Sequence, residues 1–362
     1  MATMKEIADL AGVSRGTVDR VLNHRGIVNA ETEKKVLEIA KLLHYEPNKA
    51  GIALAAQKKK IKIGVLLFGA DNPFFDEVMD GLRRKLEELS IYGCSIVEKR
   101  IPFDLDRQLR TIDALVAEGI HGLILSPYND KKVQEKIDGL WENGIPCVTV
   151  NTDIPDSKRI AYVGSDYYKC GQTAVGLLQL MTDGQIKVGI ITGSRNVLCH
   201  EERIAGFLDR LSIKLPPSFY AYTGDSSDSS RNVSNIRSSD VQIIDIIENE
   251  DDDYKSFERV SSLLAQHPDL SALYFTAAGV YGGCRAILNA SLQSVPKVIT
   301  FDAVPTTQEM LNRGVISATI CQQPDEQGAR SLTLLVDYLL TGNLPEETLV
   351  FMDLSIKIKE NL

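Results

Sequence analysis

The chain has 362 residues and a formal net charge of −9, from 40 Lys and Arg against 49 Asp and Glu. Apolar residues make up 44% and charged residues 25%, which is typical of a globular protein and excludes a disordered chain. No apolar run reaches the ~18 residues that a membrane-spanning helix needs, and the length predicts roughly two or three domains. Taken as a whole, the acidic charge argues against a nucleic-acid partner.

The first residues, MATMKEIADLAGVS, do not have the pattern of a signal peptide. Lys5, Glu6 and Asp9 interrupt the stretch, whereas a signal peptide has basic residues followed by an apolar run. We therefore expect a cytoplasmic protein. The six cysteines contain no C-x-x-C spacing and the five histidines no H-E-x-x-H pair, so the sequence predicts no metal site and no cofactor.

Charge is distributed unevenly along the chain. Residues 1–60 carry 11 Lys and Arg against 7 Asp and Glu, a net of +4, which leaves 29 against 42 and a net of −13 for residues 61–362. Pro47 disfavours helix at Glu46, so a boundary is expected there. A small basic head is therefore joined to a large acidic body.

Three short amphipathic helices are predicted in the head. Thr3 and Glu6 fit a capping box that opens the first helix. Ser14 can cap a second helix over Arg15–Asn23, and Asn29 a third. Three such helices around one core, with a short glycine-containing turn between the first two, are typical of a helix-turn-helix unit. A three-helix unit that binds another protein is the alternative.

The second helix of such a unit enters the major groove of DNA with its N-terminal part. Its outward residues can meet base edges, and its small polar residues can contact phosphates. Glycine inside a helix costs about 1 kcal/mol against alanine, which favours a role for Gly16 in close approach to DNA. Asp19 can accept a bond from cytosine or pair with Arg15, and pairing is slightly favoured. The base-facing candidates are Arg15, Gly16, Asp19, Arg20 and Asn23, and the phosphate-facing candidates are Ser14, Thr17 and Asn23.

The head resembles that of the LacI/GalR family of bacterial repressors. The resemblance lies in the runs over residues 7–14 and 17–23 and in Tyr45-x-Pro47-Asn48. It implies sequence-specific DNA binding, and it implies that residues 48–56 form a hinge helix that orders on DNA. Leu54, with Ala55 beside it, falls where paired leucines from two subunits wedge into the minor groove, and Asn48 begins the segment. A passive linker is the alternative. Asp19 departs from the serine of many members, which leaves the preferred base sequence open.

Beyond residue 60, short β-branched runs alternate with amphipathic segments. The runs show little polar alternation, as expected where both faces of a parallel sheet are covered. A repeating β-α-β pattern follows, and about 300 residues exceed one core, so two lobes are predicted. The predicted strands are Ile61–Phe68, Ser95–Arg100, Gly122–Ser126, Pro146–Val150, Lys187–Thr192, Gln242–Ile247, Ala272–Thr276, Lys297–Phe301 and Ser317–Cys321. A Ser- and Asp-rich stretch over 216–239 is predicted to be a mobile surface insertion.

Parallel sheets bind ligands beyond the carboxyl ends of their strands. Aromatic, Asn and Asp side chains follow four of these predicted ends, a chemistry that suits a sugar: rings cover its C–H face and polar groups bond its hydroxyls. The candidates at these four ends are Asn72, Phe74, Phe75, Ser126, Asn151, Asp153, Phe301 and Asp302, and Thr276 at the end of a fifth strand is added to them.

The body resembles the periplasmic sugar-binding fold, the ribose-binding type in particular, over nearly its whole length. The matching pieces are Asn72-Pro73-Phe74-Phe75, Glu202-Arg203-x-x-Gly206-Phe207, Phe301-Asp302-Ala303 and Ala318-Thr319-Ile320-x-Gln322-x-Pro324. The resemblance implies stacking by Phe74 and Phe75 and hydroxyl bonds from Asn72, Arg203, Asp302 and Gln322. An Asn stands at position 151 where that type has Asp, and the Asn-Asp pair usual near Thr276 is missing.

Each candidate has a simpler structural interpretation. Phe74 or Phe75 can be plain core. Arg203 can pair with Glu201 or Asp209 on a helix surface, and Asp302 can cap a helix near Thr306.

The predicted architecture is a small all-α helix-turn-helix domain followed by an α/β two-lobed domain of the periplasmic-binding-protein type I, with parallel sheets and helices on both faces. The predicted limits are 1–46 for the DNA-binding domain, 47–60 for the hinge, 61–162 with 324–349 for the first lobe, and 163–323 with 350–362 for the second.

We predict a ligand-responsive, sequence-specific DNA-binding transcription regulator of the repressor type. Its expected partners are a second copy of the chain, a pseudo-palindromic DNA operator and a small carbohydrate-like effector. The alternative is a sugar-acting enzyme or a transport-type sugar receptor with an N-terminal interaction domain. No G-x-G-x-x-G, P-loop or G-x-S-x-G motif stands at a strand-to-helix junction, which disfavours the enzyme.

Overall fold

The computed structural model describes residues 2–22, 27–43, 45, 49–69, 72–195, 197–213, 236–237 and 240–362. Asn23 and Asn48 lie outside the described residues, as do the side chain of Ala55 and nearly all of the predicted insertion over 216–239.

The head consists of the three helices α1 (Met4–Ala11), α2 (Arg15–Leu22) and α3 (Ala30–Leu42). Their starts follow the predicted caps. The Thr3 hydroxyl accepts from the amide of Glu6 while the Glu6 carboxylate accepts from the Thr3 amide, and Asn29 caps α3 through the Thr32 amide. One side of each helix meets in a small core made of Ile7, Ala8, Ala11, Val18, Val21, Val36 and Ala40.

Helix α4 (Lys49–Lys59) follows the head and ends against the body. Ala56 is buried in the core of the first lobe, and the Gln57 side-chain amide donates to the carbonyl of Ile91 at 2.9 Å. Leu54 is 59% exposed, on a helix with little segregation of apolar from polar residues. The segment is therefore joined to the body at its C-terminal end and leaves its central leucine on the surface.

Lobe 1 is built on a six-stranded parallel sheet in the order β12-β5-β4-β3-β1-β2. The strands are β1 (Lys62–Phe68), β2 (Ser95–Ile101), β3 (Gly122–Leu125), β4 (Cys147–Val150), β5 (Ala161–Gly164) and β12 (Leu349–Phe351). The helices of this lobe are α5 (Pro73–Glu88), α6 (Leu105–Ala117), α7 (Lys131–Glu142) and, from late in the chain, α13 (Pro324–Thr341). The central strands are buried on both faces, as their apolar runs predicted.

Lobe 2 is built on a seven-stranded sheet in the order β13-β11-β10-β9-β6-β8-β7, parallel except at its two edges. The strands are β6 (Ile186–Thr192), β7 (Ile236–Arg237), β8 (Val241–Glu248), β9 (Ala272–Phe275), β10 (Lys297–Phe301), β11 (Ala318–Cys321) and β13 (Ser355–Lys357). The helices are α8 (Tyr167–Met181), α9 (Leu198–Arg210), α10 (Asp253–Gln266), α11 (Val280–Asn289) and α12 (Pro305–Asn312).

The chain crosses between the lobes at three short connections, after β5, β11 and β12. The predicted two-lobed α/β fold is confirmed, whereas β5, β7, β12 and β13 were not among the predicted strands. The domain limits given above stay a prediction. In the described part of the chain, no helix combines the length and the hydropathy needed to cross a membrane.

In both lobes, glycines allow the backbones of packed helices to touch. In lobe 2, a Cβ at Gly171 of α8 would lie 2.1 Å from the Arg203 carbonyl oxygen of α9, and one at Gly206 would lie 1.9 Å from a carbonyl of α8. In lobe 1, Gly81 of α5 and Gly328 of α13 face each other's helix in the same way. Only glycine permits this approach. These close contacts between helices therefore set the positions of the residues that the helices carry.

Candidate functional site

A cleft of about 1250 Å³ lies between the lobes, beyond the carboxyl ends of their parallel strands. The structure brings most of the predicted ligand residues to this cleft. They are Asn72, Phe74, Phe75, Asn151, Arg203, Phe301, Asp302 and Gln322. These residues come from both lobes, so the fold assembles one site from distant parts of the chain.

The lobe 1 wall of the cleft is aromatic. Phe103 and Tyr128 stack with ring centroids 4.4 Å apart, and Phe68 meets Phe103 edge to face at 4.8 Å. Phe74 and Phe75 adjoin this wall but are only 5% and 7% exposed, because they also belong to the lobe 1 core. Phe74 and Phe75 are therefore both core residues and lining residues of the cleft. Ring faces of this kind suit the C–H surface of a sugar.

Asn72 begins this wall as the N-cap of α5. Its side-chain oxygen accepts from the Phe74 amide at 3.1 Å, which fixes the side chain at the mouth of the cleft. The amide NH₂ group of Asn72 points to no partner among the described residues, so it retains two donors.

Asp302 and Gln322 form a buried polar pair on the lobe 2 side. Both carboxyl oxygens of Asp302 accept from the Gln322 amide nitrogen, at 3.0 and 2.8 Å. Burial raises the pKa of Asp302 to about 7. Asp302 does not cap a helix, because α12 starts at Pro305 with Val304 as its N-cap. The Gln322 side-chain oxygen is buried with no partner among the described residues, which is typical of a site that a ligand completes.

Arg203 is 4% exposed and lies between two rings. Its guanidinium carbon is 3.7 Å from the Phe301 ring centroid and 4.7 Å from that of Tyr167. One terminal nitrogen donates to the Thr276 carbonyl, and Nε has no partner among the described residues. The surface pairing with Glu201 that the sequence allowed does not form, since Glu201 binds Arg195 at 2.5 Å. Arg203 is thus a fixed cation with a donor still available.

Three candidates are placed away from the cleft lining, and protein groups satisfy each of them. Ser126 donates to the Val150 carbonyl at 2.7 Å. Asp153 is paired with Arg159 and accepts from a threonine hydroxyl, and Thr276 donates to the Thr192 hydroxyl at 2.7 Å. The structure does not bring these three side chains to the cleft lining, because each turns toward a neighbouring strand or loop.

The backbone also marks the cleft. Most of the described non-glycine residues with positive φ lie in or beside the cleft. A positive φ costs energy in residues other than glycine, and such residues cluster at binding sites. Asn151 has φ +67°, Asp302 +60° and Asp251 +60°. The first two stand directly after β4 and β10, where the chain turns out of the sheet. Asn151 is also held by a hydrogen bond from its side-chain nitrogen to the Tyr167 hydroxyl at 3.1 Å.

Several cleft residues were missed by the sequence reasoning. Phe103 and Tyr128 follow β2 and β3, so the strand-end rule would have found them had it been applied to every strand and to each residue after it. His200, Arg195 and Asp251 also line the cleft. They lie in turns and in the first turn of α9, where no spacing pattern distinguishes them. Within the described chain, no group of His, Cys, Asp or Glu is arranged to hold a metal ion.

The second helix of the head presents a polar surface. Arg15, Gly16 and Arg20 are exposed, while Thr17 and Asp19 are half-buried. The Ser14 hydroxyl caps this helix through the Thr17 amide at 3.1 Å, and Arg20 folds back onto the Gly16 carbonyl and the Thr17 hydroxyl, both at 3.3 Å. The pairing of Asp19 with Arg15 stays a prediction. A Cβ at Gly16 would meet only the Ser14 hydroxyl at 3.7 Å, so packing within the head does not require glycine there.

Both the head and the body of the chain match known protein families. Residues 3–48 match the bacterial regulatory proteins of the lacI family, and residues 63–343 match the periplasmic binding protein domain. The chain is 25% identical over 346 residues to a ribose operon repressor of Halalkalibacterium halodurans, which covers 93% of this chain and 90% of that repressor. It is 30% identical over 216 residues to the probable HTH-type transcriptional repressor ExuR of Bacillus subtilis, covering 58% and 60% of the two chains.

Among solved structures, the glucose-galactose binding protein GanP of Geobacillus stearothermophilus has a TM-score of 0.69 and 25% identity. That match covers 84% of this chain and 99% of GanP. The two family matches cover separate regions of the chain, the head and the body.

Proposed function

This chain belongs to the periplasmic binding protein domain family and, through its head, to the lacI family of bacterial regulatory proteins, and on this premise we propose how it works. It is a ligand-responsive, sequence-specific DNA-binding transcription regulator of the repressor type. The observation that carries the proposal is the joining, in one chain, of a helix-turn-helix head with an inter-lobe cleft. Its relatives include repressors and sugar-binding proteins, and we propose that it acts by binding alone, without catalysing a reaction.

The head reads DNA through helix α2. Arg15 and Arg20 are exposed at its outer face, where an arginine fork can bond O6 and N7 of guanine. Ser14 and Thr17 stand at the start of the helix, suited to phosphate contacts that set its position. Gly16 leaves room for the DNA backbone beside them. Asp19 and Asn23 complete the proposed surface, with Asn48, Leu54 and Ala55 contributed by the hinge segment.

The cleft binds a small carbohydrate-like effector. We assign its ring face to Phe103 and Tyr128 with Phe74 and Phe75, and its hydroxyl contacts to Asn72, Asn151, Arg203, Asp302 and Gln322. A ligand in this position contacts both lobes at once, so it stabilises the closed state relative to the open one. Each crossing between the lobes is short, which suits a rigid-body closure.

We propose that two copies of the chain pair in the cytoplasm and bind a pseudo-palindromic operator, since a two-fold dimer reads two half-sites. The hydrogen bond from Gln57 to Ile91 joins α4 to lobe 1. A movement of lobe 1 on closure would therefore also move the hinge segment. The coupling is reciprocal: an effector that weakens DNA binding is itself bound more weakly by the DNA complex.

Selection of bound DNA from a random pool, with and without sugars, tests this function. We expect an enriched sequence with two-fold symmetry whose recovery changes with the effector. Failure to enrich any sequence would contradict the proposal.

Arg20→Ala tests the reading helix. It should weaken binding of the selected DNA by about 1–3 kcal/mol, roughly 5- to 150-fold, and relax specificity at one base pair of each half-site. Fluorescence anisotropy with labelled DNA measures both. Arg313→Ala, which removes an exposed arginine of the body, is the control and should leave DNA affinity unchanged. If Arg20→Ala behaves like the control, Arg20 does not touch the bases.

A further inference from the structure

His200, in the first turn of α9, faces the cleft with a fixed orientation. It is 8% exposed and lines the cleft, and its Nδ1 lies 2.8 Å from the carbonyl oxygen of Ser194. Because a carbonyl can only accept, Nδ1 carries the hydrogen. Burial lowers the pKa of His200, so the ring is neutral near pH 7 and Nε2 is an acceptor. Nε2 makes no hydrogen bond to any residue that the structure describes.

Asp251 places a second acceptor beside the same turn. Its Oδ1 accepts from the Ala278 amide at 2.9 Å, and its carboxylate lies against Gly193, where a Cβ would be 2.4–2.5 Å from both carboxyl oxygens. Its backbone is in the left-handed region at φ +60°. In the described structure, Oδ2 has no hydrogen-bond donor. Both side chains are thus held by backbone groups, His200 by the Ser194 carbonyl and Asp251 by the Ala278 amide.

The charge of the cleft favours a cationic group. Carboxylates among its described lining residues outnumber guanidinium groups by two to one. Ion pairs outside this lining neutralise one group of each sign, since Arg195 binds Glu201 and Glu250 binds Lys255, so an excess of carboxylates remains. A negative cleft with low-dielectric walls attracts cations and repels anions. The carboxylates are Asp245, Glu248, Glu250, Asp251, Asp253 and Asp302, against Arg195, Arg203 and Arg259.

We propose that His200 and Asp251 form a second subsite of the cleft that accepts hydrogen bonds from a protonated amine, so that the effector is an amino sugar. This inference rests on the function proposed above. An ammonium group carries three donors and no acceptor, which matches two acceptor atoms and an acidic surrounding. A phosphorylated or carboxylated sugar would place its charge against these carboxylates.

Matched pairs of sugars test the inference on the full-length protein. Glucose with glucosamine, galactose with galactosamine and mannose with mannosamine differ only in the amine, and glucuronate and glucose 6-phosphate supply the anionic arm. Thermal shift and isothermal titration near pH 7 measure binding. We expect one amine to bind about tenfold or more tighter than its hydroxyl partner, the range of a charge-assisted contact. An equal or tighter neutral or anionic sugar, or no binding by any amino sugar, overturns the inference.

Two variants locate the preference. Asp251→Asn retains an oxygen for the Ala278 amide and removes the charge, so the amine should lose most of its advantage over its neutral partner. His200→Ala should reduce the same advantage by removing the Nε2 acceptor. Asp183→Asn, an exposed carboxylate outside the cleft, is the control. An unchanged preference in both cleft variants contradicts the assignment. Selection of operator DNA remains an independent test of the proposed function, so either can fail alone.

Discussion

The two lobes face the cleft with different chemistry. Lobe 1 presents rings, with Phe103 stacked on Tyr128. Lobe 2 presents charged and polar groups, with Arg203 held between rings and Asp302 bound to Gln322. The folds are alike, each a mostly parallel sheet with helices in backbone contact at glycines.

The difference shows that two similar lobes can contribute different kinds of ligand contact to one cleft. Ring contacts depend on area and tolerate small movements, whereas hydrogen bonds to buried charges depend on direction. In lobe 2 these directional groups are held by their neighbours, Asp302 by Gln322 and Arg203 by the Thr276 carbonyl. We therefore expect substitutions in lobe 2 to decide which ligand binds and those in lobe 1 to adjust how tightly.

Asp302→Ala has the largest expected effect. The variant loses both acceptors for the Gln322 amide. It also loses the proposed contact with an effector hydroxyl, so the affinity for the effector should fall by about 100-fold or more. Titration calorimetry with the effector found by screening measures the loss. The thermal midpoint of the unliganded protein should fall slightly, because the buried Gln322 amide loses both acceptors. Normal effector affinity in this variant would place the site elsewhere.

Gly171→Ala breaks the helix crossing that carries Arg203. The new Cβ meets backbone atoms, so α8 and α9 must separate, at a cost of about 1–3 kcal/mol in the free energy of unfolding. Gly176→Ala on the same helix is the matched control, since a Cβ there meets nothing within 4 Å and alanine gains up to about 1 kcal/mol. Chemical denaturation should show opposite signs. The same sign in both would mean that the crossing is not tight in solution.

Phe103→Leu tests the ring wall. Loss of the stacked face should weaken effector binding by about 0.5–1.5 kcal/mol, roughly two- to tenfold, with the ranking of different sugars retained. Tyr254→Leu, an exposed ring outside the cleft, should change neither. A changed ranking in Phe103→Leu would remove the distinction drawn between the lobes.

The smallest expected effect concerns pH. Burial raises the pKa of Asp302 and of Glu202 to about 7, well above the ordinary carboxyl range of unfolded chains. The folded protein then holds more protons than the unfolded one between about pH 4 and 7, so stability from these groups is present at low pH and is lost as pH rises to 7. Denaturation between pH 5 and 8 should show this slope, and Asp302→Asn should flatten it. If Asp302→Asn leaves the dependence of stability on pH unchanged, other groups cause that dependence.

Much of the fold follows from local sequence. The caps at Thr3 and Asn29 and the apolar strands of both sheets are set by interactions within a few residues, so they were predictable. The missed strands β5 and β12 have four and three residues. Such runs become strands only because a neighbouring edge is present to pair with them, which the local pattern does not contain.

The site was less predictable, for a physical reason. A polar residue at a strand end can face the cleft or bond to the next strand, and the outcome depends on partners far along the chain. Ser126 turns to the carbonyl of Val150 on β4, and Thr276 to Thr192 on β6. Asp302 meets Gln322 instead and stays in the cleft. Polar residues at the same kind of position therefore acquire different roles through tertiary contacts.

The order of segments along the chain has an evolutionary consequence. The head and α4 form one uninterrupted stretch that ends before β1, whereas each lobe is assembled from separate stretches joined by three crossings. A single recombination near residue 60 transfers the proposed DNA-reading part whole, while exchange of one lobe requires three coordinated cuts. Operator choice can thus be inherited or engineered separately from ligand choice, provided that the new body keeps a partner for Gln57 at the position of Ile91.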